Sequence, residues 1–460
     1  MIVLNEETIK LWSGSKMQKV SQMLEKDISN LDLTRPYCVS GRVSRFDGHI
    51  IECDGFPATI GTLCEVATEG GNRVNAEVIG FQNNHNLLSV HDHDAQISVG
   101  ARVVVSDDGH SIKVGSGLLG RAIDALGHPL DDGPPLQLVD RWPLNGKKTN
   151  PLARRPVDKQ LDVGVRVINS LLTVGQGQRI GIIAGSGVGK SVLLGMMTRF
   201  TAADVVVVGL IGERAREVAS FAAEVLNSDS RDRAVIVAEP ADRSPLLRIR
   251  GANRATAIAE YFRSIGKNVL LIMDSLTRVA HARREIGLAL GEQPTSKGYP
   301  SSVVSMIPAL VERSGTGIGA EGSITSFYTV LADGDDANDP VVDTARAILD
   351  GHILLSREQT QMGIYPAVDV PASVSRVMND IAEPKQLQAA QYFRRLVALY
   401  MENRDLILMG GYAPGQDPDL DMAVQLWPQL MAHIQQPFSE SADAAHSVQA
   451  LTDLFNLQDS

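Results

Sequence analysis

Between residues 16 and 31 the apolar positions Met17, Val20, Leu24, Ile28 and Leu31 recur at helical spacing with polar residues between them. That periodicity predicts an amphipathic helix in an N-terminal segment spanning 1–34. From 35 to 105 the texture changes to short β-type pieces such as Cys38-Val39-Ser40-Gly41-Arg42-Val43, cut by Gly, Asn and Asp, which predicts a small antiparallel barrel. Gly- and Pro-rich stretches then follow, including Asp131-Asp132-Gly133-Pro134-Pro135, so 106–160 reads as linker. Beyond it, apolar β-type runs at 180–184, 205–211, 235–237 and 269–273 alternate with helical stretches near 190–200, 215–226 and 253–265. Continuous apolar strands separated by helices predict a parallel sheet covered on both faces, over 161–385. From 386 to 460 the pattern is helical, with Leu387, Tyr392, Leu396, Tyr400 and Leu406 dispersed among polar residues.

A chain of 460 residues is long enough for two or three such domains. Its 54 acidic and 43 basic residues leave a net charge of -11, which disfavours nucleic acid as the main partner, because phosphate contacts need Lys and Arg in excess. The three cysteines, Cys38, Cys53 and Cys64, match no zinc or redox spacing and read as buried thiols in a reducing compartment. No signal-peptide pattern opens the chain, and no apolar run is long enough to span a bilayer, so a cytoplasmic protein is expected.

The strand at 180–183 runs into Ala184-Gly185-Ser186-Gly187-Val188-Gly189-Lys190-Ser191 and then a helix. This is a phosphate-binding loop with Ala184 in place of the first glycine, a position that needs only a small residue. The remaining glycines let backbone N–H groups wrap phosphates, and the helix N-terminus adds its dipole. Lys190 is expected to reach the β- and γ-phosphates of ATP, with Ser191 as a ligand of Mg²⁺. An acid at the end of a later apolar strand should complete the metal site, and Asp274 follows Asn268-Val269-Leu270-Leu271-Ile272-Met273. By itself an Asp at a strand end is equally a turn former; beside the loop it is expected near Mg²⁺, directly or through water.

Hydrolysis also needs a group that orients the attacking water. The strand 205–211 ends in Gly212-Glu213-Arg214-Ala215-Arg216-Glu217-Val218. This segment, the phosphate loop and Gly363-Ile364-Tyr365-Pro366-Ala367-Val368-Asp369 resemble the catalytic β subunit family of F-type ATP synthases. The resemblance implies an α/β fold, with a P-loop (RecA-like) parallel-sheet core, an N-terminal β-barrel and a C-terminal helical domain. It also implies Glu213 as the water-polarising carboxylate, Arg214 as a γ-phosphate contact, Arg278 on the phosphate side of the pocket, and Tyr365 stacked on the adenine. A core tyrosine is the competing reading of Tyr365, and Tyr412 is a second candidate for the same wall.

In the synthase ring a neighbouring α-type subunit supplies an arginine finger. Here Ala372-Ser373-Val374-Ser375-Arg376-Val377 resembles that finger segment, and Glu213 lies on the same chain. Both halves of a shared site on one polypeptide suit a ring of identical subunits, with Arg376 acting in the next protomer. Residues 289–300, 322–328 and 345–352 resemble the ATPases of flagellar and virulence-type protein export. The Asp339-Pro340 pair, the Ala345-Arg346-Ala347 stretch and the tail 447–455 lie nearer the flagellar branch. The resemblance implies a homohexamer that uses Mg-ATP to release and unfold export substrates from their chaperones. It implies a central-stalk-like protein, a stator-like regulatory partner at the N-terminus and peripheral association with the inner-membrane export gate. Packing on the chain's own barrel is the competing reading of the N-terminal helix. The rival functions are an injectisome ATPase, an ATP synthase catalytic subunit, an RNA-translocating ring and a nucleotide-binding structural subunit. Glu213 beside Arg376 disfavours the synthase subunit, the acidic charge the RNA motor, and Glu213 the structural subunit.

Overall fold

The computed structural model describes residues 39–455 apart from 49, 93–94 and 332–338. The expected N-terminal helix and Cys38 lie outside the described residues. Six strands form a closed antiparallel barrel: β1 (Ser40–Phe46), β2 (Ile50–Asp54), β3 (Leu63–Ala67), β4 (Arg73–Gln82), β5 (His85–Val90) and β6 (Arg102–Asp107), in the order β1-β2-β5-β4-β3-β6. The alternation of inward and outward residues in β2 and β3 is what a half-buried strand requires. Asn83 and Asn84 close the β4–β5 hairpin, both with positive φ, a conformation asparagine tolerates better than most residues. Cys53 and Cys64 are free and buried in the barrel, where burial pushes both thiols up to about 12.

The stretch 106–160 is more than linker. β7 (Ser111–Val114) and β9 (Asp140–Pro143) pair as a ribbon, and β8 (Arg121–Ile123) joins the edge of the main sheet beside β12. Arg121 donates to Asp131 through Nε and Nη2, pinning the Pro-rich segment that follows β8. Periodicity cannot reveal a three-residue strand among so many turn residues.

The main sheet adds β10 (Arg179–Ala184), β11 (Val205–Ile211), β12 (Ala234–Glu239), β13 (Asn268–Asp274), β14 (Gly315–Thr316), β15 (Ser323–Leu331), β16 (Gly351–Leu355) and β17 (Val368–Ser375). Its order is β17-β16-β10-β15-β13-β11-β12-β8, with β14 attached to β15. All pairings are parallel except those of β17 with β16 and β14 with β15. Every residue of β11 is buried, as expected of a strand covered on both faces. On one face lie the helices Lys190–Phe200 and Ala215–Leu226, continuous with a C-terminal bundle through Phe393, Leu396 and Leu430. On the other lie Pro245–Ser264, Leu276–Ala289 and Ser301–Val311. The C-terminal helices are Pro384–Leu408, Pro418–Ile434 and Ala444–Asp453, and Tyr400 stacks on Trp427 between the first two.

Candidate active site

A crevice at the carboxyl ends of parallel strands is where open α/β sheets bind ligands. Here β10, β13 and β11 deliver three candidate side chains to one point. The loop after β10 turns through Gly187 and Gly189, both with positive φ that only glycine adopts freely, and hands Lys190 to the first turn of its helix. Lys190 Nζ donates to Asp274 Oδ1 at 2.6 Å and to Glu213 Oε1 at 3.1 Å. All three groups are nearly buried, so each depends on the others for charge compensation. Burial opposes the charge on Lys190, but Asp274 and Glu213 outweigh it and hold the ammonium above its usual range. Burial pushes the Asp274 carboxyl up; Lys190 and Thr329 pull it back down, while Glu213 adds to the rise.

Thr329, on β15, donates its hydroxyl to Asp274 Oδ1 at 2.6 Å. Nothing in the sequence pattern singled it out. It lies 55 residues from its partner and reaches it because β13 and β15 are neighbours in parallel register. Ser191, Glu213 and Asp274 line one cavity of about 210 Å³ beside the helix Ala215–Leu226.

The other expected residues fall into two groups. Arg278 packs its stem against Gly212, immediately before Glu213: a Cβ on Gly212 would stand 2.7 Å from the Arg278 Cβ. Tyr365 stands over the loop, its ring 3.4 Å from where a Cβ on Gly189 would lie, and it is 44% exposed. Arg357, which the sequence reading did not select, is within 3.3 Å of the corresponding point on Gly185. By contrast, Arg214 extends into solvent and meets only Glu217 at 3.6 Å among the described residues. Tyr412 donates to Asp421 at the start of the helix Pro418–Ile434.

Arg376 lies outside this cluster. β17 runs antiparallel to β16, so its last residue, Ser375, sits beside Gly351 at the first residue of β16. Arg376 N donates to Asp350 O, and Asp350 N donates to Arg179 O at the start of β10. The phosphate loop begins past the other end of β10. At ~3.3 Å per residue that separates Arg376 from its own loop by roughly 15–20 Å, farther than an arginine side chain reaches. The exposed guanidinium donates to Arg346 O.

The nucleotide-binding domain of the ATP synthase alpha/beta family matches residues 164–375, and the T3SS EscN ATPase C-terminal domain matches 382–453. A flagellum-specific ATP synthase of Pseudomonas aeruginosa is 49% identical over 419 residues, covering 90% of this chain and 93% of its own. Its counterpart in Salmonella typhimurium is 50% identical over 425 residues, with the same coverage. A type 3 secretion system ATPase of Xanthomonas euvesicatoria is 42% identical over 431 residues, covering 93% and 96%. Among solved structures, the assembled ATPase EscN from the enteropathogenic E. coli type III secretion system superposes with a TM-score of 0.84 at 41% identity, covering 90% of this chain and 99% of that one. The same ATPase in complex with its central stalk EscO superposes at 0.82 with 40% identity over the same shares.

Proposed function

This chain belongs to the flagellar and type III secretion ATPases of the ATP synthase alpha/beta family, and on that premise we propose that it powers flagellar protein export as a homohexameric ring. It is an ATP hydrolase. The observation that carries the reading is the meeting of Lys190, Glu213 and Asp274 at the ends of three parallel strands.

In the proposed mechanism the phosphates of ATP enter the glycine loop and take over the Lys190 ammonium, which now rests on Glu213 and Asp274. That exchange frees Glu213 to accept a hydrogen bond from the attacking water and hold it in line with the γ-phosphate. Arg278, braced against Gly212, would fix the backbone that carries Glu213. The Tyr365 face would receive the adenine, with little base specificity, because stacking needs only a flat ring.

Mg²⁺ fits the donors present. Ser191 and Asp274 both line the cavity and would offer it oxygen donors, as this hard cation requires, and a site of one or two protein ligands leaves room for phosphates and water. Held there, the ion would supply positive charge against the negative charge of the transferring phosphoryl group. Arg376 would complete the site of the neighbouring protomer, a role supported by its distance from its own loop.

The ring, a central-stalk-like partner, a stator-like partner at the N-terminus, chaperone–substrate complexes and docking at an inner-membrane gate belong to the same proposal. The assembled EscN ATPase and its complex with the central stalk EscO support its first two elements. Among the described residues no helix is long and apolar enough to cross a membrane. An injectisome role is the second reading, favoured by the EscN superposition; the higher identity to flagellar relatives supports the first.

ATPase rate measured against protein concentration, with the oligomer sized in parallel, tests the proposal. Specific activity should rise as rings form. A dilute monomer with full activity contradicts a shared site.

A further inference from the structure

Between the barrel and the ATPase core lies a cavity of about 350 Å³ that the reaction does not use. The helix Pro245–Ser264 lends it Arg250 and Arg254, the β7–β9 ribbon Lys113 and Arg141, and the barrel side His91. Its lining holds one carboxylate, Asp107, which accepts from Gly109 N. Glu77 compensates Arg250 at 3.1 Å. Among the described residues, Arg254 is buried and bonded only to the carbonyls of Ala125 and Leu126, and Arg141 to Ser111 Oγ. Among the described residues, Lys113, Arg141 and Arg254 have no carboxylate at ion-pair distance.

Two further observations point to an anion as the ligand this cavity would take. Lys113 and Arg141 face each other as register partners across the ribbon, and like charges placed directly opposite repel unless something bridges them. His91 has a side chain only 6% exposed, yet neither ring nitrogen has a hydrogen-bond partner among the described residues; its nearest acid is Glu77 at 4.0 Å. Burial and then Arg250 push its imidazole down to about 4, and burial and then Arg250 push the Arg254 guanidinium down to about 10. Asp124 pulls both back upward without offsetting the burial.

We propose that this seam cavity binds a small soluble phosphate-bearing anion, bridged between Lys113 and Arg141 at the rim and drawn in by Arg254 and His91. The volume suits a di- or polyphosphate without a bulky apolar group. Because its walls come from barrel, ribbon and ATPase helix together, occupancy would tie the barrel to the helix that packs beneath β11, β12 and β13.

The test titrates inorganic pyrophosphate calorimetrically onto the full chain saturated with Mg-ADP, which closes the nucleotide site to competition. One further site should be seen. Lys113→Ser with Arg141→Ser should weaken it roughly tenfold or more, a loss of at least about 1.4 kcal/mol. Both residues are exposed, so these variants should fold, and Lys113→Arg should bind like the parent. No pyrophosphate binding to the ADP-saturated chain, or unchanged affinity in the double variant, overturns the proposal.

Discussion

Replacing Thr329 by valine keeps the shape of a fully buried side chain and deletes a single hydroxyl. That hydroxyl donates to Asp274 Oδ1 at 2.6 Å, the same oxygen that accepts from the Lys190 ammonium. Hydrogen bonds to charged groups contribute about 1.5–3 kcal/mol, so the loss should lower kcat/KM for Mg-ATP by roughly 10- to 150-fold. The sign of the pH effect follows from the same contact. Burial already pushes the Asp274 carboxyl up, and Thr329 is one of the groups pulling it down. Without it the carboxylate should be lost at higher pH than in the parent, so the acid limb of the rate profile moves upward. Steady-state ATPase assays across a pH series and a magnesium series read both effects. Thr329→Ser, which restores the donor, should recover most of the rate and the original limb. Parent-like kcat/KM and pH limb in Thr329→Val, with an unchanged melting temperature, would refute the role given to this hydroxyl.

Three other substitutions extend the test. Lys190→Ala should weaken nucleotide binding, measured by calorimetry, whereas Glu213→Gln should bind ATP normally and lose turnover, because water orientation counts only on the way to the transition state. Glu239, buried at the end of β12, is raised from 4.5 to about 7 by burial. A raised folded-state value means folding takes up a proton between those limits, so the parent should lose stability as pH rises from about 4.5 to about 7 and stay level above. Glu239→Gln, whose amide oxygen can still accept from Ala125 N, should escape that loss by up to ~3 kcal/mol in denaturant titrations; parallel curves for the two proteins contradict it.

The glycine loop and the strands ending in Glu213 and Asp274 were legible because continuous apolar runs and Lys-Ser at a fixed offset are local signals. The barrel and the C-terminal helices were legible for the same reason. Thr329 was not, since its contact with Asp274 depends on which strands become neighbours. β8 was hidden by the glycines and prolines around it. Arg376 was legible as a motif, but its distance from its own loop comes from the reversed direction of β17, which no periodicity encodes. At the seam, Glu77 lies 173 residues from Arg250 and meets it only when the barrel closes on the helix Pro245–Ser264.

The central claim is a site shared between identical protomers, and mixing two inactive variants tests it directly. Arg376→Ala keeps Glu213 and lacks the finger; Glu213→Gln keeps the finger and lacks the carboxylate. Neither alone forms an interface with both groups, but rings containing both variants do, so ATPase activity should reappear on mixing. A finger arginine is worth on the order of 10³-fold in rate, which leaves ample range to detect partial recovery. No recovery, with mixed rings shown to form by mass analysis, would contradict the shared site.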